Sequence, residues 1–192
     1  MNRCGWVKMT NPLYVAYHDE EWGIPLHKER ELFELLCLET YQAGLSWEMI
    51  LNKRKAFKEV FHNYDIIKVA AMSGDELEEI LQNPAVVRNR LKIYATRNNA
   101  QAFISIQENE GSFDRYIWSF VEDVPITNQV LNYNEVPSKT PLSEKISKDL
   151  KKKGFKFVGP VAVYSFLQAA GLVNDHECDC DFNPKKSSKS IS

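Results

Sequence analysis

Two cysteine and histidine pairs lie at opposite ends of this 192-residue chain. Cys4 and His18 are near its start, and His176 and Cys180 are near its end. Thiolate and imidazole groups are the ligands that zinc prefers, and two of each complete a tetrahedral shell. The i, i+4 spacing of His176 and Cys180 would place both side chains on one face of a helical turn. One shared ion would join the chain ends as a closed structural site. Because the compact double C-x2-C pattern is missing, ordinary thiols and histidines are the alternative.

A second candidate group combines aromatic side chains with one carboxylate. Its members are Trp6, Tyr14, Tyr17, Trp22, Glu39, Tyr41 and Trp47. Aromatic walls and a carboxylate suit a flat, cationic, hydrogen-bonding ligand, such as a nucleobase alkylated on its ring. Glu39 stands out because residues 35–38 before it are apolar. The alternative is that the aromatic side chains belong to the core and that Glu39 is exposed at a helix end.

The segment 150–171 predicts two helices joined by a short hairpin between Gly154 and Gly159. Backbone N–H groups at the start of the second helix would point outward, and such a helix terminus binds phosphate. Lysines supply local positive charge around the hairpin, namely Lys148, Lys151, Lys152, Lys153 and Lys156. The alternative is an ordinary helical hairpin with a solvated lysine face.

Composition limits the class of protein. Hydrophobic residues make up 44% of the chain, which is enough for the core of one domain or of two small ones. The net charge of −2 gives no global basic signature, so any nucleic-acid-binding face must be local. The chain start lacks the apolar segment of a secretory signal, and no apolar run approaches the roughly 20 residues that span a bilayer. Four cysteines do not suggest a disulfide framework, so we expect a reducing, cytoplasmic setting.

Helical periodicity and capping signals predict an all-α fold. We expect helices over 28–43, after Ser46, after Asp65, after the Ser73–Glu76 capping box, from about 86 to 107, over 113–121, from Pro141 to Gly154 and from Pro160 to Gly171. Residues 122–139 lack helical periodicity and predict a connection. Residues 184–192 are rich in lysine and serine, which predicts a disordered tail after a single unit over 1–183.

Seven stretches resemble the 3-methyladenine DNA glycosylase I family of the helix-hairpin-helix superfamily of base-excision repair enzymes. They are RCGW at 3–6, PLYVAYHDEEWG at 12–23, CLETYQAGLSW at 37–47, AAM at 70–72, WSFV at 118–121, KKGFKFVGP at 152–160 and GLVNDH at 171–176. The resemblance implies two helical lobes around a cleft. It also implies that one zinc ion is held by Cys4, His18, His176 and Cys180, which joins the termini.

The resemblance implies a reaction as well. Glu39, the expected catalytic residue, and Tyr17 would hydrogen-bond a base flipped out of double-stranded DNA. Trp47 would stack on that base, and Trp6 and Tyr14 would line its pocket. Methylation at adenine N3 makes the base cationic and weakens the N-glycosidic bond, so an enzyme that holds the base while water adds to the sugar releases free 3-methyladenine and leaves an abasic site.

The resemblance also assigns the contacts to DNA, made by a monomer. Gly154, Lys156 and Gly159 of the hairpin would grip the phosphate backbone, and Gly44 and Leu45 would approach the gap left by the flipped base.

Two positions depart from the wider superfamily. Val161 occupies the position of the lysine in base-excising lyases, so we expect no Schiff-base strand cleavage. The superfamily aspartate aligns ambiguously, and either Asn174 takes its place with Asp175 supporting the zinc site, or the assignment shifts by one residue.

Two other functional classes compete with a glycosylase, namely a non-enzymatic zinc-clipped DNA-binding protein and a small-molecule-binding domain. The set of Glu39, Trp47 and Tyr17 argues against the first class, and the lysine-flanked hairpin argues against the second.

Overall fold

The computed structural model describes residues 1–187, and its architecture confirms the all-α prediction. The helices in this part of the chain are α1 (Pro12–Glu20), α2 (Glu29–Gln42), α3 (Trp47–Val60), α4 (Ile66–Ala71), α5 (Gly74–Gln82), α6 (Arg90–Glu110), α7 (Phe113–Trp118), α8 (Pro141–Lys152), α9 (Pro160–Ala169) and α10 (Pro184–Ser187). Short 3-10 turns lie at His62–Tyr64, Ser119–Val121 and Tyr133–Glu135.

Capping side chains place several helix starts where the sequence predicts them. The Ser46 side chain accepts a hydrogen bond from the backbone N–H of Met49 at the start of α3. The Asp65 side chain accepts one from the backbone N–H of Lys68 at the start of α4. Ser73 and Glu76 form the predicted capping box of α5, with both reciprocal hydrogen bonds present. Proline occupies the first position of α8 and of α9, where its missing N–H is tolerated.

The long helix is displaced from its predicted position. We expected it from about 86 to 107, but α6 begins at Arg90, because the Asn89 side chain caps the backbone N–H of Lys92. It continues to Glu110 and ends at Gly111, whose φ is 90°. In its first turn the apolar Leu91 is 70% exposed, whereas Lys92 is buried.

Helix α2 separates two groups of helices. It contacts α3 and α6 on one side, where α4 and α5 also pack on α6. On the other side it contacts α9, which packs on α8. Its apolar residues are fully buried between the groups, with Leu32, Phe33 and Leu38 at 0% exposure. These groups are the two helical lobes that the family resemblance implies, and Cys4 and His18 from the start of the chain meet His176 and Cys180 from its end.

The connection after α7 pairs with the segment after α9 in a small parallel sheet that the sequence does not predict. Strand β1 (Ile126–Thr127) pairs with β2 (Val173–Asn174), in the register Ile126 to Val173. Two-residue strands are too short to produce an alternating pattern. Just before β2, Gly171 lets the segment at Ile24 approach closely, because its φ is 73° and a Cβ there would lie 2.3 Å from the carbonyl carbon of Ile24.

The tail that the sequence predicts to be disordered is described only over 184–187. Its first four residues form the short helix α10, next to Asn183, which is buried and donates to the backbone oxygen of His176. The remainder of the tail, 188–192, lies outside the described residues. Within residues 1–187, none of the helices combines the length and the apolar character needed to cross a membrane.

Candidate functional site

A cavity of about 190 Å³ opens between the two lobes. Its walls come from α1, α2, α3 and α9, together with the segments around Trp6, Trp22 and Tyr133. The lining residues are Trp6, Tyr14, Tyr17, Trp22, Glu39, Gln42, Trp47, Tyr133, Ser165 and Gln168. All five residues that we predicted to contact a base therefore lie in one pocket. Larger grooves elsewhere on the surface do not contain them.

Aromatic rings that contact one another line much of this pocket. The ring centroids of Tyr17 and Trp47 lie 5.1 Å apart and are inclined by 56°. Trp6 contacts the ring of Tyr14 at 5.7 Å and the ring of Trp22 at 4.8 Å. These rings give the pocket apolar surfaces on which an aromatic ligand could pack.

The polar atoms of the pocket are incompletely paired. Glu39 lies on α2 and is only 4% exposed, and its Oε2 atom has no hydrogen-bond partner among the described residues. The indole N–H groups of Trp6 and Trp47 are also buried and without such a partner. Buried polar groups are normally hydrogen-bonded, because an unpaired one costs about 1–3 kcal/mol. These atoms are therefore suited to bind the polar edge of a ligand.

Burial controls the protonation of the pocket. Removal from water raises the pKa of Glu39 to about 8. The pKa of the Tyr17 hydroxyl is also raised well above its usual value, first by burial and then by the nearby charge of Glu39. A cationic ligand in contact with Glu39 would stabilise the ionised carboxylate and lower its pKa again.

Sequence reasoning missed Gln168, which lines the pocket from α9. The Nε2 atom of Gln168 donates a 2.6 Å hydrogen bond to Asp175, which also accepts from Tyr164 and Asn128. The Oε1 atom of Gln168 therefore lies on the side of Tyr133, at 3.5 Å from its hydroxyl. One signal was available, since Gln168 is an amide near the end of the largely apolar helix α9.

The structure gives separate roles to the two residues before His176. The sequence left the position of the superfamily aspartate ambiguous by one residue, and one of its two alternatives gave Asn174 that position and Asp175 a supporting role at the metal site. In the structure Asn174 donates to the Gly23 carbonyl and accepts from the backbone of His176, so it supports the metal-binding loop. Asp175 instead contacts Gln168 behind the pocket.

The four predicted metal ligands come together next to the pocket. Cys4, His18, His176 and Cys180 are all buried, and their ligand atoms lie within 4.8 Å of one another. The Cys4 and Cys180 sulfur atoms lie 3.4 and 3.5 Å from His176 Nδ1. The His176 ring also packs at 4.6 Å from the ring of Trp22. This group could hold one metal ion that joins the chain ends.

The surroundings of the cluster fit a cation. The Nδ1 atom of His18 pairs with Asp19 at 2.8 Å, so its Nε2 atom faces the cluster. His176 directs Nε2 to the Trp22 carbonyl at 3.0 Å, which leaves Nδ1 for the cluster. Outer partners of this kind orient metal ligands. The interaction between the thiols raises the pKa of Cys4 and lowers that of Cys180, and a cation between the two sulfur atoms would favour the thiolate form of both.

The turn after α2 lies at the edge of the pocket and is bound by a side chain of α6. Gly44 has a φ of 79°, and a Cβ added there would meet no atom within 4 Å, whereas Leu45 is half-buried. The buried Lys92 donates to the carbonyls of Tyr41 and Ala43, at 2.8 and 2.6 Å. Sequence reasoning missed Lys92, because a lysine in a charged helix is usually solvated.

The hairpin between α8 and α9 presents its backbone to solvent. Gly154 and Gly159 have no atom within 4 Å of an added Cβ, and Lys156 is exposed. Phe157, which sequence reasoning also missed, has a left-handed backbone with a φ of 56° and is 38% exposed. Val161 follows in the first turn of α9 and is 51% exposed. The hairpin thus offers backbone N–H groups and one cation to an anionic partner.

Comparison with known proteins agrees with this geometry. The chain is 47% identical to DNA-3-methyladenine glycosylase 1 of Escherichia coli (strain K12). The alignment spans 180 residues, which are 94% of this chain and 96% of that protein. It is 43% identical to DNA-3-methyladenine glycosylase of Haemophilus influenzae, over 93% of this chain and 96% of that protein. A structure of 3-methyladenine DNA glycosylase I from Staphylococcus aureus, solved to explain 3-methyladenine recognition, matches with a TM-score of 0.92 at 40% identity, over 96% of this chain and 97% of that one.

The family match covers most of the chain. The sequence profile of the methyladenine glycosylase family matches residues 6–184, a range that includes every pocket residue and three of the four metal-cluster residues. The chain belongs to the methyladenine glycosylase family.

Proposed function

We propose that this protein is a DNA-3-methyladenine glycosylase, which hydrolyses the N-glycosidic bond of 3-methyladenine in alkylated double-stranded DNA. The observation that carries the proposal is the buried, unpaired carboxylate of Glu39 between aromatic walls. Such a pocket selects a flat cation with hydrogen-bond donors on its edge. The names of the relatives from E. coli and H. influenzae support this substrate class.

The reaction begins with extrusion of the damaged nucleotide, which costs a few kcal/mol. Trp47 then stacks on the extruded base, with Tyr17, Trp6 and Tyr14 around it. Glu39 ionises on contact with the cationic base and accepts hydrogen bonds from its edge. The methylated base is already a good leaving group, so the protein holds it while water adds to the sugar. Neutral adenine gains less from Glu39 and leaves less readily, and selectivity and catalysis thus share one origin.

DNA binding uses two segments of the chain. Gly154, Lys156 and Gly159 of the hairpin contact the phosphate backbone, to which the start of α9 adds its outward N–H groups. Gly44 and Leu45 enter the gap left by the flipped nucleotide. Because Val161 supplies no amine, the strand stays intact after base release, and the enzyme is monofunctional.

The metal is zinc, one ion per chain, in a closed structural site. Two thiolates and two imidazoles suit tetrahedral Zn²⁺ and leave no open position for a substrate. Cys4 and His18 bind it from the N-terminal segment, and His176 and Cys180 from the C-terminal one. We place the protein in the cytoplasm as a monomer, where reduced thiols remain available to the metal.

The direct test is incubation of the protein with methylated duplex DNA, followed by chromatography of the released bases. We expect free 3-methyladenine and an abasic strand that stays intact until alkali is added. A DNA-binding protein without activity would release no base, and a lyase would form an adduct trapped by borohydride. Either result would contradict the proposed reaction.

A further inference from the structure

Helix α6 contacts both segments that we assign to DNA binding. From this arrangement we infer that Lys92 and Asn99 are positioning residues, which fix the 43–46 turn and the 153–159 hairpin relative to each other so that one duplex can contact both. This inference rests on the proposed function. Neither side chain lines the base pocket.

Lys92 fixes the turn. It is 6% exposed, and its ammonium group donates to the Tyr41 and Ala43 carbonyls at 2.8 and 2.6 Å. These carbonyls lie at the carboxyl end of α2, where a helix leaves its last oxygens unpaired and its dipole is negative. Gly44 follows directly after them. The start of the turn is therefore tied to α6 by two charge-assisted hydrogen bonds.

Asn99 fixes the hairpin. It is fully buried, and its Oδ1 atom accepts from the Lys156 N–H at 2.8 Å while its Nδ2 atom donates to the Lys156 carbonyl at 3.1 Å. One side-chain amide thus satisfies both backbone groups of Lys156. The neighbouring Asn98 adds a 2.8 Å bond to the Gly154 carbonyl. The hairpin backbone is held at two points by consecutive residues of one helix.

The spacing of these residues connects the two loops. Lys92 and Asn99 are seven residues apart, which places them on one face of α6 and about 10 Å apart along its axis. A rigid helix of 21 residues therefore sets the distance between the turn and the hairpin. Loops that are not held in this way must be ordered when DNA binds, and this ordering weakens the complex.

The test compares five variants of α6. Lys92→Met and Asn99→Leu remove the bonds to the two DNA-binding segments with little change in volume. Arg97→Met and Gln101→Met are the matched controls, since these side chains donate to carbonyls near the end of α4, at 3.0 and 3.1 Å, away from both segments. Lys92→Arg restores donors to the turn. The probes are a duplex with a tetrahydrofuran abasic-site analogue and free 3-methyladenine.

We expect the dissociation constant for the duplex to rise about tenfold in Lys92→Met and in Asn99→Leu, and to stay within about twofold in both controls and in Lys92→Arg. Affinity for free 3-methyladenine should stay within about twofold in all variants, because the pocket is intact. Unchanged duplex affinity in the two test variants would overturn the inference. An equal loss in the controls, or an equal loss of free-base affinity, would also overturn it.

A milder variant keeps the test decisive if Lys92→Met or Asn99→Leu does not fold. Asn98→Ala removes the exposed bond to Gly154 and a long 3.5 Å bond to Asn99 Oδ1, and it leaves both bonds from Asn99 to Lys156 in place. We expect it to weaken duplex binding while free-base binding is kept. Normal duplex binding by this variant would overturn the role of α6 in holding the hairpin. Failure of the proposed function is read from the parent protein alone, which would then neither bind nor release 3-methyladenine.

Discussion

Asp175 orients Gln168. The 2.6 Å hydrogen bond from Gln168 Nε2 to the Asp175 carboxylate requires the nitrogen end of the amide to face away from the pocket. The oxygen end is then left on the side of Tyr133 and of the base site. A second acceptor beside Glu39 would bind a base edge that carries hydrogen-bond donors.

This orientation predicts the effect of Gln168→Met, which keeps the side-chain length and removes the acceptor. Affinity for free 3-methyladenine should fall about tenfold, the cost of leaving one base donor unpaired. Calorimetric titration measures it, and metal content is the control, since Asp175 precedes a metal-cluster residue. Unchanged affinity would show that Gln168 makes no contact with the base.

The raised pKa of Glu39 predicts how stability depends on pH. The folded pKa is about 8, against an ordinary value of 4.5. Between these values the unfolded chain has lost the proton and the folded protein keeps it, so the unfolding free energy falls as pH rises, by up to about 1.4 kcal/mol per pH unit.

Glu39→Gln removes this titration. Its unfolding free energy relative to the parent should therefore increase from pH 4.5 to pH 8 and then level off, as measured by urea denaturation at several pH values. A constant difference across this range would mean that the carboxyl group is not buried as the structure places it.

The metal cluster predicts a coupled loss of metal and stability. Purified protein should contain about one zinc per chain, and His176→Ala should lower both zinc content and the unfolding free energy, by several kcal/mol, because metal binding contributes directly to folding. Cys178→Ala is the matched control, since this cysteine is exposed and outside the cluster. Full stability in a metal-free preparation would contradict the structural role of the ion.

The hairpin predicts an effect that does not depend on DNA sequence. Lys156→Ala should weaken binding to every duplex and reduce the slope of log affinity against log salt by about one unit. Lys68→Ala, which removes an exposed lysine of α4, is the control and should leave the slope unchanged. A Lys156 variant with the parent's salt dependence would remove this residue from the interface.

The sequence predicts much of the fold because local signals mark most helix ends. Capping residues such as Ser46 and Ser73 act through contacts within four residues, which a linear pattern contains. The start of α6 was misplaced because Asn89 was not read as its cap. The sheet of Ile126 and Val173 depends on a pairing across more than forty residues, which periodicity cannot show.

Some residues of the site could be predicted from the sequence and others could not, because only local signals are contained in a linear pattern. Glu39 was visible because a carboxylate interrupts an apolar run, and the metal residues were visible by their type. Lys92 and Tyr133 carry no such mark, since their roles arise only when distant segments meet. The roles of Tyr17 and Trp47 came from the family resemblance, because an aromatic residue alone more often belongs to a core.

The most direct test of the account is the single-turnover rate of 3-methyladenine release from methylated duplex DNA, measured for the parent and for Glu39→Ala. Base release is followed by chromatography, with unfolding free energy and zinc content checked in both proteins. We predict that the parent releases the base and leaves the strand intact, and that Glu39→Ala is slower by about a hundredfold, because the buried acceptor for the cationic base is lost. Equal rates in two folded, zinc-loaded proteins would contradict the claim that this pocket holds the base during the reaction.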